Sequence, residues 1–126
     1  IILKFKMSKG KVALIGSGVI GCNWAILFAR SNYMVYLYDI SSKQLELARE
    51  NIINIKIPLC HKFGMLNGNE CDIVSSRIKY TTNLSNALKD AIFIQTGVPE
   101  NLGIKQNVLS NVCNELYKLN NGSNNI

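Results

Sequence analysis

Three glycines at fixed spacing constrain this chain more than anything else in it. Gly16, Gly18 and Gly21 follow the apolar run Val12 to Ile15 and open an apolar helical stretch, Val19 to Arg30. Strand, glycine turn and helix in that order form the setting in which G-x-G-x-x-G binds a dinucleotide. Gly16 turns tightly off the strand, Gly18 lets backbone approach a pyrophosphate, and Gly21 allows close packing of helix on strand. The first N–H groups of the helix, with its positive dipole end, then face the anion, so the site is built from backbone rather than from charged side chains. A second apolar run, Met34 to Tyr38, ends in Asp39, about 20 residues beyond the glycines, where a carboxylate accepts hydrogen bonds from ribose hydroxyls. Glycine alone marks turns in many folds; the register of strand, glycines, helix, strand and acid is far more specific.

Asp39 also bears on which cofactor is taken. Its carboxylate stands where the 2′-phosphate of NADP would lie, and the residues after it, Ile40, Ser41 and Ser42, include no arginine to receive a phosphate. NAD is the expected cofactor.

The rest of the chain continues the alternation. In the first helix Ile20, Trp24, Leu27 and Phe28 fall on one stripe that predicts packing against a sheet, with Trp24 in the core. Cys22 lies in its first turn, where a dipole can lower a thiol pKa, although a packed, inert cysteine is the simpler reading. Ser41 and Ser42 are natural caps for a long helical segment that meets Pro58, where it should kink or end. Gly64 to Asp72 reads as a loop, Arg77 to Tyr80 as a short strand, Leu84 to Lys89 as a short helix and Ala91 to Gln95 as the next strand. Pro99 and Glu100 open a final helix over Asn101 to Leu119, with Leu102, Val108, Leu109, Val112 and Leu116 on its apolar side. Right-handed crossovers then give a parallel sheet in the order 3-2-1-4, with the switch point between the first and fourth strands. The expected fold is the N-terminal portion of a Rossmann-type, doubly wound α/β sheet, without its C-terminal strands or a substrate domain. Residues 1–10 are an expected extension, 11–119 the nucleotide-binding domain, and 120–126 a disordered tail.

Composition excludes several functions. A net charge of +6 comes from lysines scattered over the chain, with no basic run interleaved with aromatics, so no nucleic acid is expected as a partner. Cys22, Cys60, Cys71 and Cys113 have no C-x-x-C spacing and no histidine cluster beside them, so no metal site is expected. No apolar run reaches membrane-spanning length, and the expected location is the cytoplasm.

Beyond these patterns, Gly16-Ser17-Gly18-Val19-Ile20-Gly21, Trp24-Ala25, Leu27-Phe28-Ala29, Leu37-Tyr38-Asp39-Ile40, Ile94-Gln95 and Val98-Pro99-Glu100 resemble the NAD-binding domain of the 3-hydroxyacyl-CoA dehydrogenase family, most nearly its lambda-crystallin branch. The resemblance runs from Lys11 to Leu119 and includes the long helical insertion after the second strand. It implies cofactor contacts at Val19 and Ile20 in the glycine turn, at Asp39 on the adenosine ribose, and at Glu100 and Lys105 toward the nicotinamide. Read without it, Glu100 is a charge at a helix start and Lys105 a surface lysine. One departure stands out: where the family commonly has an acid two residues before Val-Pro-Glu, this chain has Thr96, then Gly97.

The resemblance further implies a homodimer and a small 3-hydroxy acid, such as L-gulonate, or a hydroxyacyl-CoA as substrate for the full-length protein. It places the histidine base, its glutamate and the substrate-orienting serine and asparagine beyond this stretch. The single histidine, His61, sits near Pro58 in the helical insertion and reads as a surface or packing residue. Lacking a positioned base, the proton step loses about 10²–10⁴ in rate. Two main functions follow as expectations: the cofactor portion of an NAD-dependent 3-hydroxy acid dehydrogenase, catalytically incomplete alone, or a non-catalytic, crystallin-like NAD-binding protein. A flavin protein on the same fold is a weaker third.

Overall fold

The computed structural model describes residues 8–97 and 102–124. Its elements run β1 (Lys11–Ile15), α1 (Val19–Arg30), β2 (Met34–Tyr38), α2 (Ser42–Asn51), a π-helical turn (Ile52–Lys56), α3 (Ile57–Lys62), α4 (Cys71–Ser76), β3 (Ile78–Thr81), α5 (Leu84–Leu88), β4 (Ala91–Thr96) and α6 (Leu102–Asn124). All strand pairs are parallel and the order is β3-β2-β1-β4, as the crossover rule requires. Ile15 stands opposite Tyr38 on one side and Thr96 on the other. The residues that follow each strand, Gly16, Asp39 and Gly97, therefore emerge side by side at the carboxyl end of the sheet.

Strand alternation divides the core in two. Val12, Leu14, Val35 and Leu37 pack with Ala25, Ala29, Leu45, Ile52, Ile57 and Val74 on the face covered by α1 to α4. Ala13 and Ile15 point the other way, onto Ala87 and Leu88 of α5 and Val112 of α6. Because β1 is sandwiched by both layers, four of its five residues are buried, which is why its sequence is an unbroken apolar run.

Several expectations change. The buried face of α1 is Gly21, Cys22, Ala25, Ile26 and Ala29, whereas Ile20, Trp24 and Leu27 are exposed and Phe28 is only partly buried. Small residues let the helix axis come close to the sheet, and the bulky ones flank it. Trp24 is thus not core; its ring lies 5.8 Å from that of Phe28, which also meets Phe93 at 5.6 Å.

Pro58 does not end its helical segment. The chain widens into the π-helical turn, where the Ile57 N–H donates to the Ile52 carbonyl, and Pro58 falls in the first turn of α3, where a missing N–H costs no helical bond.

The six-residue α4 occupies part of what reads as loop and strand approach in the sequence, held by the buried Val74. Helix α6 continues through Asn124, so residues 120–124 are helical rather than a disordered tail. Its inner face is Val108, Val112, Leu116 and Leu119, while Leu109 is exposed. Low helix propensity in Asn and Gly is a weak prior against a helix anchored by such a stripe.

Candidate cofactor-binding site

The glycine turn is built around two close backbone approaches. Gly16 has φ 110°, a conformation open to glycine and rarely to other residues, and its N–H donates to the Tyr38 carbonyl at 2.8 Å. At Gly21 a Cβ would overlap the Gly16 carbonyl oxygen, so any side chain there would push α1 off the turn. Gly18 has ordinary extended torsions, φ −71° and ψ −170°, and its Cβ would meet nothing within 4 Å. Glycine at this position leaves room in front of the turn, which is the requirement for an approaching pyrophosphate. The first helical bond of α1 runs from the Cys22 N–H to the Gly18 carbonyl at 2.9 Å. The N–H groups of Val19 and Ile20 lie ahead of it, outside the helical ladder, at the open end of the helix.

Across the turn, Asp39 is held by three hydrogen bonds from two residues. Its Oδ2 accepts the Ser17 N–H at 3.1 Å and the Ser17 Oγ–H at 2.7 Å, and its Oδ1 accepts the Ser41 N–H at 3.0 Å. Ser41 also caps α2, its hydroxyl accepting the Gln44 N–H, so Asp39 is fixed to both the glycine turn and the following helix. A cavity of about 620 Å³ joins Gly16, Gly18, Val19, Ile20 and Asp39, with Ile40, Leu84, Ile104 and Val108 forming an apolar wall. A few polar groups against apolar walls at this volume suit a nucleotide, and the position is the switch point between β1 and β4. Tyr38 lines the same cavity; burial first and the Asp39 charge second push its phenol upward, so it stays neutral and can donate.

Two residues of this arrangement are not apparent from the glycine pattern and the acid. Ser17 is the one buried polar side chain among the described residues; its signal is only that the first variable position of the pattern carries a hydroxyl. Gly97, noted as a departure in the sequence, brings the end of β4 against the turn. Its N–H donates to the Ile15 carbonyl at 2.7 Å, and a Cβ there would stand 3.4 Å from the Gly21 nitrogen.

Of the remaining candidates, Lys105 is half-buried on α6, next in sequence to Ile104 of the cavity wall. Glu100 lies outside the described residues, as do Val98, Pro99 and Asn101. His61 is exposed on α3 and does not line the cavity. Cys22 is buried, donates its thiol to the Ser17 carbonyl at 3.4 Å, and is pushed up in pKa by that burial, which opposes reactivity. Among the described residues no group of three His, Cys, Asp or Glu could hold a metal ion, and no helix is long and apolar enough to cross a membrane.

The family model for the 3-hydroxyacyl-CoA dehydrogenase NAD-binding domain matches residues 11–118. The chain belongs to this family. Its cofactor is NAD, and the family's enzymes are NAD-dependent dehydrogenases acting on CH–OH groups. Rabbit (Oryctolagus cuniculus) lambda-crystallin is 37% identical over 102 residues, covering 80% of this chain and 32% of that protein. L-carnitine dehydrogenase of Bacillus cereus is 33% identical over 107 residues, covering 85% of this chain and 31% of that one. The crystal structure of 3-hydroxybutyryl-CoA dehydrogenase from Escherichia coli K12 matches with a TM-score of 0.72 at 26% identity, over 88% of this chain and 23% of the other. The chain thus spans about a third of the length of these curated relatives.

Proposed function

We propose that this chain is the NAD-binding portion of a dehydrogenase that oxidises a 3-hydroxy acid, L-gulonate among the candidates, or a 3-hydroxyacyl-CoA, and that it is inactive by itself. In this reading the backbone of Gly16, Gly18, Val19, Ile20 and Gly21 receives the pyrophosphate and Asp39 receives the adenosine ribose. Ile40, Leu84, Ile104 and Val108 flank the adenine, and Lys105 and Glu100 are proposed as contacts of the nicotinamide end. Bound NAD supplies the hydride acceptor; the residues of this chain bind and orient it. The observation that carries the reading is the single cavity that connects the glycine turn to Asp39 at the carboxyl end of the sheet. Inactivity rests on the lining of that cavity: among the described residues its ionisable side chains are Asp39 and Tyr38, and His61 does not line it. A substrate domain and a homodimer belong to the full-length protein in this proposal.

The purified chain should bind NAD in a titration yet produce no NADH from L-gulonate or a 3-hydroxyacyl-CoA. Robust turnover of either substrate would contradict the second half of the proposal, and absence of NAD binding the first. A non-catalytic, crystallin-like role is the second reading, and it rests on the likeness to lambda-crystallin. Coding sequence past Ile126 that contains a distant histidine base would favour the enzyme, and a stop codon the binding protein.

A further inference from the structure

The serine inside the glycine turn does more than fill it. Ser17 is only 2% exposed, and burying a hydroxyl is unfavourable unless it is bonded. It spends its O–H on Asp39 Oδ2 at 2.7 Å, a short bond to a charged acceptor, while its N–H reaches the same oxygen at 3.1 Å. An ionised carboxylate offers about four acceptor positions. Ser17 takes both on Oδ2, and the Ser41 N–H takes one on Oδ1 at 3.0 Å. The position left open is on Oδ1, and the carboxylate cannot rotate to present Oδ2 without breaking two bonds. These contacts join residues 22 positions apart in sequence, so they tie the glycine turn to the end of β2.

We infer that Ser17 is a positioning residue that aims Asp39 Oδ1 at the cofactor's adenosine ribose and sharpens the choice of NAD over NADP; this rests on the assignment of Asp39 to the ribose. The pinned carboxylate offers one well-directed acceptor to a ribose hydroxyl. It also cannot swing away from a 2′-phosphate, so the repulsion that disfavours NADP is kept. Without the Ser17 hydroxyl, Asp39 keeps its charge but gains freedom. The NAD contact loses its preorganisation, and an NADP phosphate can push the carboxylate aside.

The test compares Ser17→Ala with the unchanged chain by calorimetric titration of NAD and of NADP, with the ligand-free melting temperature recorded alongside. Ser17→Ala should weaken NAD about tenfold, the loss of one bond to a charged group, and weaken NADP much less, so the preference narrows by a similar factor. In an Asp39→Ala background the same Ser17→Ala change should alter NAD affinity by less than about twofold, because a residue that acts through Asp39 has nothing left to position. Should Ser17→Ala not fold, Ser17→Cys, a weak donor of similar shape, takes its place in both backgrounds. NAD affinity unchanged by Ser17→Ala would overturn the inference while leaving the ribose assignment intact. Equal loss for both cofactors, or an undiminished loss in the Asp39→Ala background, would assign Ser17 a structural role instead. Absence of NAD binding by the unchanged chain would overturn the assignment itself, and the inference with it.

Discussion

The sheet has two edges, and they are finished differently. On one side β3 is four residues long, buries Ile78, exposes Lys79 and is backed by α2 and α4. A short strand carrying a lysine is one of the ways proteins keep an edge from pairing with another chain. On the other side β4 runs six residues, Ala91 to Thr96, without a charge. Ile92 is 65% exposed and Phe93 47%, and Trp24 and Leu27 lie exposed on the neighbouring helix. The half of the molecule from β3 to β1 therefore ends in an edge closed to pairing, and it carries Asp39 of the cavity. Beyond β1, the β4 half presents apolar surface that a complete doubly wound sheet would cover. The cavity straddles the two sides: Asp39 lines it from the β2 end, and Gly97, Ile104 and Val108 line it from β4 and α6.

The largest effect is expected in the closed half. Gly21→Ala should destabilise the chain by about 3 kcal/mol, since the new methyl overlaps the Gly16 carbonyl and a packed core relaxes poorly. Urea unfolding measures this, and a loss below about 1 kcal/mol would mean that α1 is free to shift. Gly18→Ala makes the matching contrast. With nothing near its Cβ it should leave stability within about 0.5 kcal/mol, yet weaken NAD at least about tenfold by standing in the pyrophosphate's place. Equal NAD affinity in that variant would remove the turn from the site.

At the open edge, the unchanged chain should self-associate at high concentration, and Ile92→Lys should weaken that association about tenfold by placing a charge on an apolar edge. Light scattering that finds both chains monodisperse monomers would show that the β4 edge needs no cover.

Smaller still is the effect at Tyr80, on the β3 side. Burial, the neighbouring Cys22 and Glu46 push its phenol up to about 12, with Arg49 opposing, and its hydroxyl has no hydrogen-bond partner among the described residues. The folded state thus favours the neutral form. Its contribution to stability is full below the unfolded pKa of about 10 and is lost as pH rises through about 12. Tyr80→Phe should leave stability at pH 7 unchanged or slightly raised, and should flatten the decline over that alkaline window in pH-dependent melts. An undiminished decline would place the titration elsewhere.

How much of this was legible in the sequence follows from the range of each interaction. The strands β1 and β2 announce themselves as apolar runs because both faces of the sheet are covered, and topology then follows from handedness. Gly16, Gly21 and Asp39 are legible because their spacing is tied to a backbone geometry. The inward face of α1 is not: large apolar residues suggest a stripe through Trp24, but small residues win the contact because they let the helix approach the sheet. Nor is α4 legible, six residues stabilised by tertiary packing of Val74 rather than by a capping side chain. Ser17 escapes for a related reason, since its role exists only after the turn and the end of β2 have come together.

Every cofactor contact proposed above depends on Asp39 lying at the adenosine ribose. Two like charges about 5 Å apart at an effective dielectric of about 20 repel by ~3 kcal/mol, which corresponds to roughly 100-fold in affinity. Lys43, four positions on, is exposed and a poor substitute for an arginine that receives phosphate in two-point geometry. Calorimetric titration of the unchanged chain with NAD and with NADP measures the ratio directly. NAD should bind with a preference of roughly 100-fold; equal affinity for the two cofactors would contradict the placement of Asp39 at the ribose.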